Sequence, residues 1–207
     1  MKISDEAKTG LVAAAVGAAL LGLGALSWRL LRKGGALLGP QPLAKGSTVL
    51  LLGDSLGVGI SAPLREQLDA AGLSLISQPH VGWTAKQTNN LLTSSPELVG
   101  DAVVYSLGSN DGALFDPSSE ADSVRSLVDT ARARGARRIV WIVPPNFALS
   151  SPPAPATTEK QQAFAALWPS DVERLQGPTD LLGSDRIHLP PAGYRALAES
   201  VSALLLT

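Results

Sequence analysis

The sequence predicts an α/β fold built on a parallel sheet covered by helices on both faces, and three observations carry that expectation. Short apolar runs at residues 47–52, 102–107 and 138–143 alternate with amphipathic helical stretches. The runs are almost wholly apolar rather than apolar at every second position, which suits strands buried on both faces. Each stops at a backbone punctuator, Gly53, Gly108 or Pro144. Strands alternating with helices imply right-handed crossovers and therefore parallel pairing.

The chain opens with ten polar residues of mixed charge, including Lys2, Asp5, Glu6 and Lys8. Residues 11–28 then carry no charge, a length of 18 residues that reaches the lower limit for crossing a bilayer. Trp28 falls where an interfacial anchor would sit, and Arg29, Arg32 and Lys33 follow at once. A helix apolar on every face has nothing obvious in a soluble domain to cover it. The basic residues also occupy the place where a signal peptide would need a neutral cleavage region. The expectation is an uncleaved N-terminal transmembrane helix, with residues 1–33 forming a single-pass membrane anchor. Ala14, Ala18 and Gly22 fall four apart, a spacing that permits weak self-association of the helix. An extracytoplasmic catalytic domain is expected, although the flanking charges, Lys2 and Lys8 against Arg29, Arg32 and Lys33, leave orientation open.

Residues 34–46, with Gly-Pro-Gln-Pro in their middle, read as a linker, and residues 47–207 as the folded domain. Within it, residues 73–77 form a second strand and residues 84–92 a helix with Thr84 near its cap. Residues 108–112 read as a turn. A helix opens at Ser118 and runs to about Arg134, and residues 158–168 form another. Residues 172–175 make a short fifth strand, and residues 191–206 a last helix with Pro191 in its first turn.

Composition narrows the chemistry. A net charge of −1 and a pI of about 6.1 give no reason to expect a nucleic-acid partner. The absence of cysteine excludes disulfides, thiol nucleophiles and thiolate metal sites. With two histidines, His80 and His188, no His-rich metal centre is expected, and neither metal nor cofactor is required.

Four polar clusters fall at strand ends or just before the last helix: Gly53-Asp54-Ser55, Gly82, Gly108-Ser109-Asn110-Asp111 and Asp185-Arg186-Ile187-His188. In an open parallel sheet these positions share the carboxyl edge, where ligands bind. Each cluster alone also has an ordinary reading as a turn or helix cap. Together they supply acyl-transfer chemistry, with Ser55 as nucleophile, His188 as base and Asp185 orienting the imidazole. The Ser55 N–H, the Gly82 N–H and the Asn110 amide would form the oxyanion hole.

The sequence here resembles the SGNH (GDSL) hydrolase superfamily across residues 49–194. Gly-Asp-Ser-Leu at 53–56, the block-two glycine Gly82, Gly-x-Asn-Asp at 108–111 and Asp-x-x-His at 185–188 appear in family order, and residues 187–194 look like the segment after the family's histidine. The resemblance implies a three-layer α/β/α sandwich with a flavodoxin-like sheet. It also implies Ser55, Asp185 and His188 as catalytic triad, with Gly82 and Asn110 as oxyanion donors. Arg186 stands where a small residue is common, which would narrow the site or bind an anionic group. Asp111 is expected to hold its loop, and His80 to line the site. Trp83, Phe115 and Phe147 are candidates for an acyl or sugar pocket or for core. The expected function is a membrane-anchored serine esterase acting on acyl or acetyl esters, small or polymer-bound. An acyltransferase on envelope polysaccharide and a catalytically silent binding module are the alternatives.

Overall fold

The computed structural model describes residues 41–114 and 116–207, and Gln41–Thr207 forms one compact unit. The expected anchor and most of the expected linker lie outside the described residues. Among the described residues, no helix is long and apolar enough to cross a membrane. Packing reaches into the expected linker: Leu43 is buried and its N–H donates to the Leu205 carbonyl at 3.0 Å.

Strands β1 (Thr48–Gly53), β2 (Ser74–Pro79), β3 (Ala102–Ser106), β4 (Arg138–Val143) and β5 (Glu173–Gln176) pair parallel in the order β2-β1-β3-β4-β5. The helices are α1 (Ser55–Ala70), α2 (Ala85–Ser94), α3 (Ser109–Leu114), α4 (Ala121–Ala133), α5 (Thr158–Ala166) and α6 (Pro191–Leu206), with 3-10 turns at Pro117–Glu120 and Pro145–Ala148. This strand order is the flavodoxin-like one, and it reverses direction between β1 and β3.

The side-chain alternation of the strands builds two cores. Val49 and Leu51 of β1, Val104 of β3 and Val140 of β4 face α1 and α6, where Ile60, Leu64, Leu197 and Val201 cover them. Leu50, Leu52, Val103 and Trp141 face the opposite layer, closed by Leu92 of α2, Leu127 of α4 and Phe164 of α5. The central strands are apolar along most of their length because both of their faces are covered. The edge strands β2 and β5 are only half buried, and β5 carries Glu173 and Arg174, charges of the kind that discourage further pairing.

Most predicted elements recur within a residue or two. The stretch at 108–112 differs. Gly108, at φ 125°, turns the chain off β3, and Ser109–Leu114 then forms a short helix in which the Gly112 N–H donates to the Gly108 carbonyl at 2.8 Å. The helix expected from Ser118 starts as the 3-10 turn and becomes α-helical at Ala121.

Candidate active site

Ser55 is the first residue of α1, with Asp54 alone between it and the end of β1. Two constraints make this corner sharp. Gly53 has φ 148°, and a Cβ there would lie 2.0 Å from the Ser106 carbonyl oxygen. Asp54 then caps α1, its Oδ1 accepting from the Leu56 N–H at 3.0 Å and, more weakly, from the Ser106 hydroxyl at 3.3 Å. The Ser55 N–H belongs to the first turn of α1, where N–H groups have no intrahelical acceptor.

Ser55 Oγ lies 2.8 Å from His188 Nε2, and His188 Nδ1 lies 2.6 Å from Asp185 Oδ2. The second carboxylate oxygen, Asp185 Oδ1, accepts from the backbone N–H groups of Ile187 and His188 at 3.0 and 2.9 Å. Partial burial works to raise the Asp185 carboxyl. The ring of His188 and those two N–H groups outweigh it and hold the carboxyl down at about 2. An ionised Asp185 only accepts, so Nδ1 must carry a hydrogen, and in the neutral ring Nε2 then presents a lone pair to the Ser55 hydroxyl. The turn is closed by bonds between Gly183 and both His188 and Arg186. Arg186 takes a left-handed conformation, φ 57°, and its side chain is exposed. The His188 and Asp185 side chains remain 44% and 49% exposed, so the relay opens to solvent.

Gly82 is the third residue of a turn whose ends, His80 and Trp83, are joined by a 3.2 Å bond from the Trp83 N–H to the His80 carbonyl. Its φ of 79° is one that turn position requires, and nothing crowds it. Asn110 meets this turn directly, its Nδ2 donating to the Trp83 carbonyl at 2.9 Å. That leaves Asn110 one further amide hydrogen. The turn is tied to β1 by the His80 N–H, which donates to the Gly53 carbonyl at 2.8 Å. The clusters ending β1 and β3 thus flank the switch point, with the Gly82 turn joined to both.

Asp111 and Glu120 act one layer below. Asp111 Oδ1 accepts from the Ala85 N–H and Glu120 Oε2 from the Lys86 N–H, both at 2.8 Å, while Thr84 and Gln87 form a capping box. The start of α2, and with it the Gly82 turn, is therefore held by side chains from two other segments. Burial pushes both Asp54 and Asp111 up to about 7. Backbone N–H bonds pull each back, and at Asp111 the neighbouring Glu120 and Asp54 add to the rise.

His80 and Trp83 stack on each other with ring centroids 3.8 Å apart at the rim, beside Val81, which is 73% exposed. Phe147 packs edge-on against Trp141 and lies close to Gly108, so it belongs to the core beneath α3. Phe115 lies outside the described residues. The sequence reading gave no role to Asp54, Glu120 or Tyr194. The buried acid of Gly-Asp-Ser was visible as a motif letter, but the cap that Glu120 places on α2 joins residues 34 apart and leaves no local signal. Among the described residues, no group of three His, Asp or Glu side chains is arranged to hold a metal ion.

No family model matches the sequence, and no curated protein matches it. Solved structures do. The lipase/acylhydrolase from Enterococcus faecalis is 16% identical, with a TM-score of 0.58 over 77% of this chain and 95% of its own. The C-terminal catalytic domain of peptidoglycan O-acetyltransferase A from Streptococcus pneumoniae is 16% identical, with a TM-score of 0.57 over 78% and 94%. A structure described as a lipolytic protein of the G-D-S-L family, from Desulfitobacterium hafniense, is 15% identical, with a TM-score of 0.59 over 77% and 100%. At these identities the likeness establishes architecture, and the described domain has the fold of the SGNH (GDSL) hydrolase superfamily.

Proposed function

We propose that residues 47–207 are a serine esterase domain that hydrolyses acyl esters through an acyl-enzyme on Ser55, held at a membrane by residues 1–33. The observation that carries the reading is the unbroken relay from Ser55 Oγ through both nitrogens of His188 to Asp185, at 2.8 and 2.6 Å.

In this reading Ser55 Oγ attacks the ester carbonyl carbon while its proton passes to His188 Nε2, and ionised Asp185 stabilises the imidazolium. The carbonyl π pair moves onto oxygen. The resulting oxyanion is held by the Ser55 N–H, the Gly82 N–H and the remaining Asn110 amide hydrogen. Collapse breaks the bond to the alcohol oxygen, which takes the proton from His188. Water, deprotonated by His188, then attacks the acyl-serine and releases the acid by the same steps. No cofactor is needed, because both charge transfers stay within these side chains.

A sugar hydroxyl in place of water would make the same acyl-enzyme a transferase, and the likeness to the pneumococcal O-acetyltransferase domain supports keeping that reading. Nitrophenyl, methyl and sugar acetates offered to the protein test both. Release of acetic acid in water alone supports hydrolysis. Acetate appearing only on an added sugar acceptor supports transfer. Turnover of none of these esters would count against both readings.

A further inference from the structure

Four large apolar side chains are exposed among the described residues, and two of them, Val58 and Val81, stand at the rim of the Ser55 site. Single exposed valines are ordinary, whereas apolar surface gathered at a site marks a binding surface. Contacts along α1 bring the two together. The flank of α1 that faces β2 climbs that strand as it nears Ser55. Arg65 Nη1 donates to the Leu75 carbonyl at 2.9 Å, Ser61 Oγ lies 2.8 Å from Ser77 Oγ, and a Cβ on Gly57 would fall 2.8 Å from Pro79 Cβ. Val58 shares the stripe of Ser61 and Arg65, so it reaches the end of β2, where Pro79 leads into the turn from His80 to Trp83. Tyr194 packs on the opposite flank, against Gly59, where a Cβ would fall 2.2 Å from its ring.

The turn belongs to the site. The His80 N–H donates to the Gly53 carbonyl at 2.8 Å, and Asn110 Nδ2 donates to the Trp83 carbonyl at 2.9 Å. Val81 directly precedes Gly82, the proposed oxyanion donor, and Val58 lies one helical turn from Ser55.

We propose that Val58, Val81 and the stacked rings of His80 and Trp83 form an apolar rim that binds a hydrocarbon chain of the ester, carried on its acyl or its alcohol side. The inference rests on the esterase reading above. Residues 55–64 and 70–96, which supply the rim, contain no aspartate or glutamate, so a chain lying there strips water from no carboxylate of these segments. Valine side chains offer a sugar hydroxyl no hydrogen bond. The two rings stack 3.8 Å apart at 20°, and branched valines have few rotamers, so little freedom is lost when a chain covers them. Six carbons are long enough to span one helical turn of about 5.4 Å.

The test compares kcat/KM for methyl acetate, methyl hexanoate and hexyl acetate on the intact protein. Wild type should prefer one of the six-carbon esters to methyl acetate by roughly tenfold. A preference for methyl hexanoate assigns the rim to the acyl side, and one for hexyl acetate assigns it to the alcohol side. Val58→Ser combined with Val81→Ser should lower that preference about fivefold, a ratio from which any loss of chemistry common to the esters cancels. Val99→Ser makes the same change at a valine 43% exposed just before β3, at the other end of the sheet, and should leave the preference at its wild-type value. Wild type that turns over methyl acetate and prefers neither six-carbon ester would overturn the rim, as would a preference unmoved in the double variant. Faster hydrolysis of glucose 6-acetate than of both six-carbon esters would overturn it too, in favour of a sugar. Protein that hydrolyses none of the four esters would instead overturn the esterase reading, and the rim with it.

Discussion

Asn110 commits one amide hydrogen to the Trp83 carbonyl and keeps one more, so a structural part in the turn and the proposed oxyanion role become separable. In the proposed mechanism, losing a donor to the oxyanion weakens the transition state more than the ground state. Asn110→Ala should lower kcat by roughly 10²–10³ with little change in KM. Asn110→Asp keeps the shape but sets a carboxylate against a carbonyl oxygen and beside a developing anion, so it should be at least as inactive. A kcat for Asn110→Asp within about threefold of wild type would remove Asn110 from the oxyanion hole. Asp54 makes a prediction of a different kind. Burial raises its carboxyl to about 7, and an unfolded aspartate titrates near 4. Between those values the folded chain keeps a proton that the unfolded chain has lost. Stability from this group is therefore full below about pH 4 and falls as pH rises through about 7. Asp111 acts in the same direction. Asp185 acts oppositely, but its window lies between about 4 and 2. The melting temperature should thus decline from pH 4 to 7.5, and Asp54→Asn should flatten the decline. A variant with the wild-type slope would show that Asp54 is not the titrating group.

Helices α1 and α6 meet through Gly59 and Tyr194, and that contact joins the helix carrying Ser55 to the one that follows His188. Gly59→Ala forces the Tyr194 ring outward. Overpacking of this sort costs about 1–3 kcal/mol, and the displaced start of α6 should also lower kcat. Thermal melting together with ester turnover checks this, and a variant unchanged in both would show that the contact yields without consequence. At this scale the sequence was legible wherever local pattern decides the outcome. Arg138–Val143 and Pro191–Leu206 have the predicted bounds because a continuous apolar run and a proline at the first helical position are strong local signals. Residues 108–112 misled because Gly, Ser, Asn and Asp favour turns. Their helix depends on neighbours that composition does not reveal, with Asn110 tied to Trp83 and Asp111 to Ala85. The Glu120 cap and the Gly59–Tyr194 contact were illegible for the same reason: each joins segments far apart in the chain. The relay residues were legible as motif letters, whereas their hydrogen bonds had to come from the fold.

In the proposed function the whole molecule is a catalytic domain with a membrane-anchoring N-terminal segment, and the two parts make separate predictions. Full-length protein should sediment with membranes and resist carbonate extraction, driven by the uncharged stretch at residues 11–28. Residues 41–207, which form one compact unit, should stay soluble and retain turnover. Full-length protein that remains in the supernatant at undiminished size would remove the anchor and leave the domain's chemistry untouched. The central claim is that Ser55 becomes acylated, and a fluorophosphonate probe followed by peptide mass analysis tests it most directly. One adduct should form, on Ser55, and Ser55→Ala should abolish it while melting like wild type, since a small hydroxyl at a helix start carries little stability. Labelling that persists in Ser55→Ala, or an intact wild-type protein that takes no label, would contradict the account.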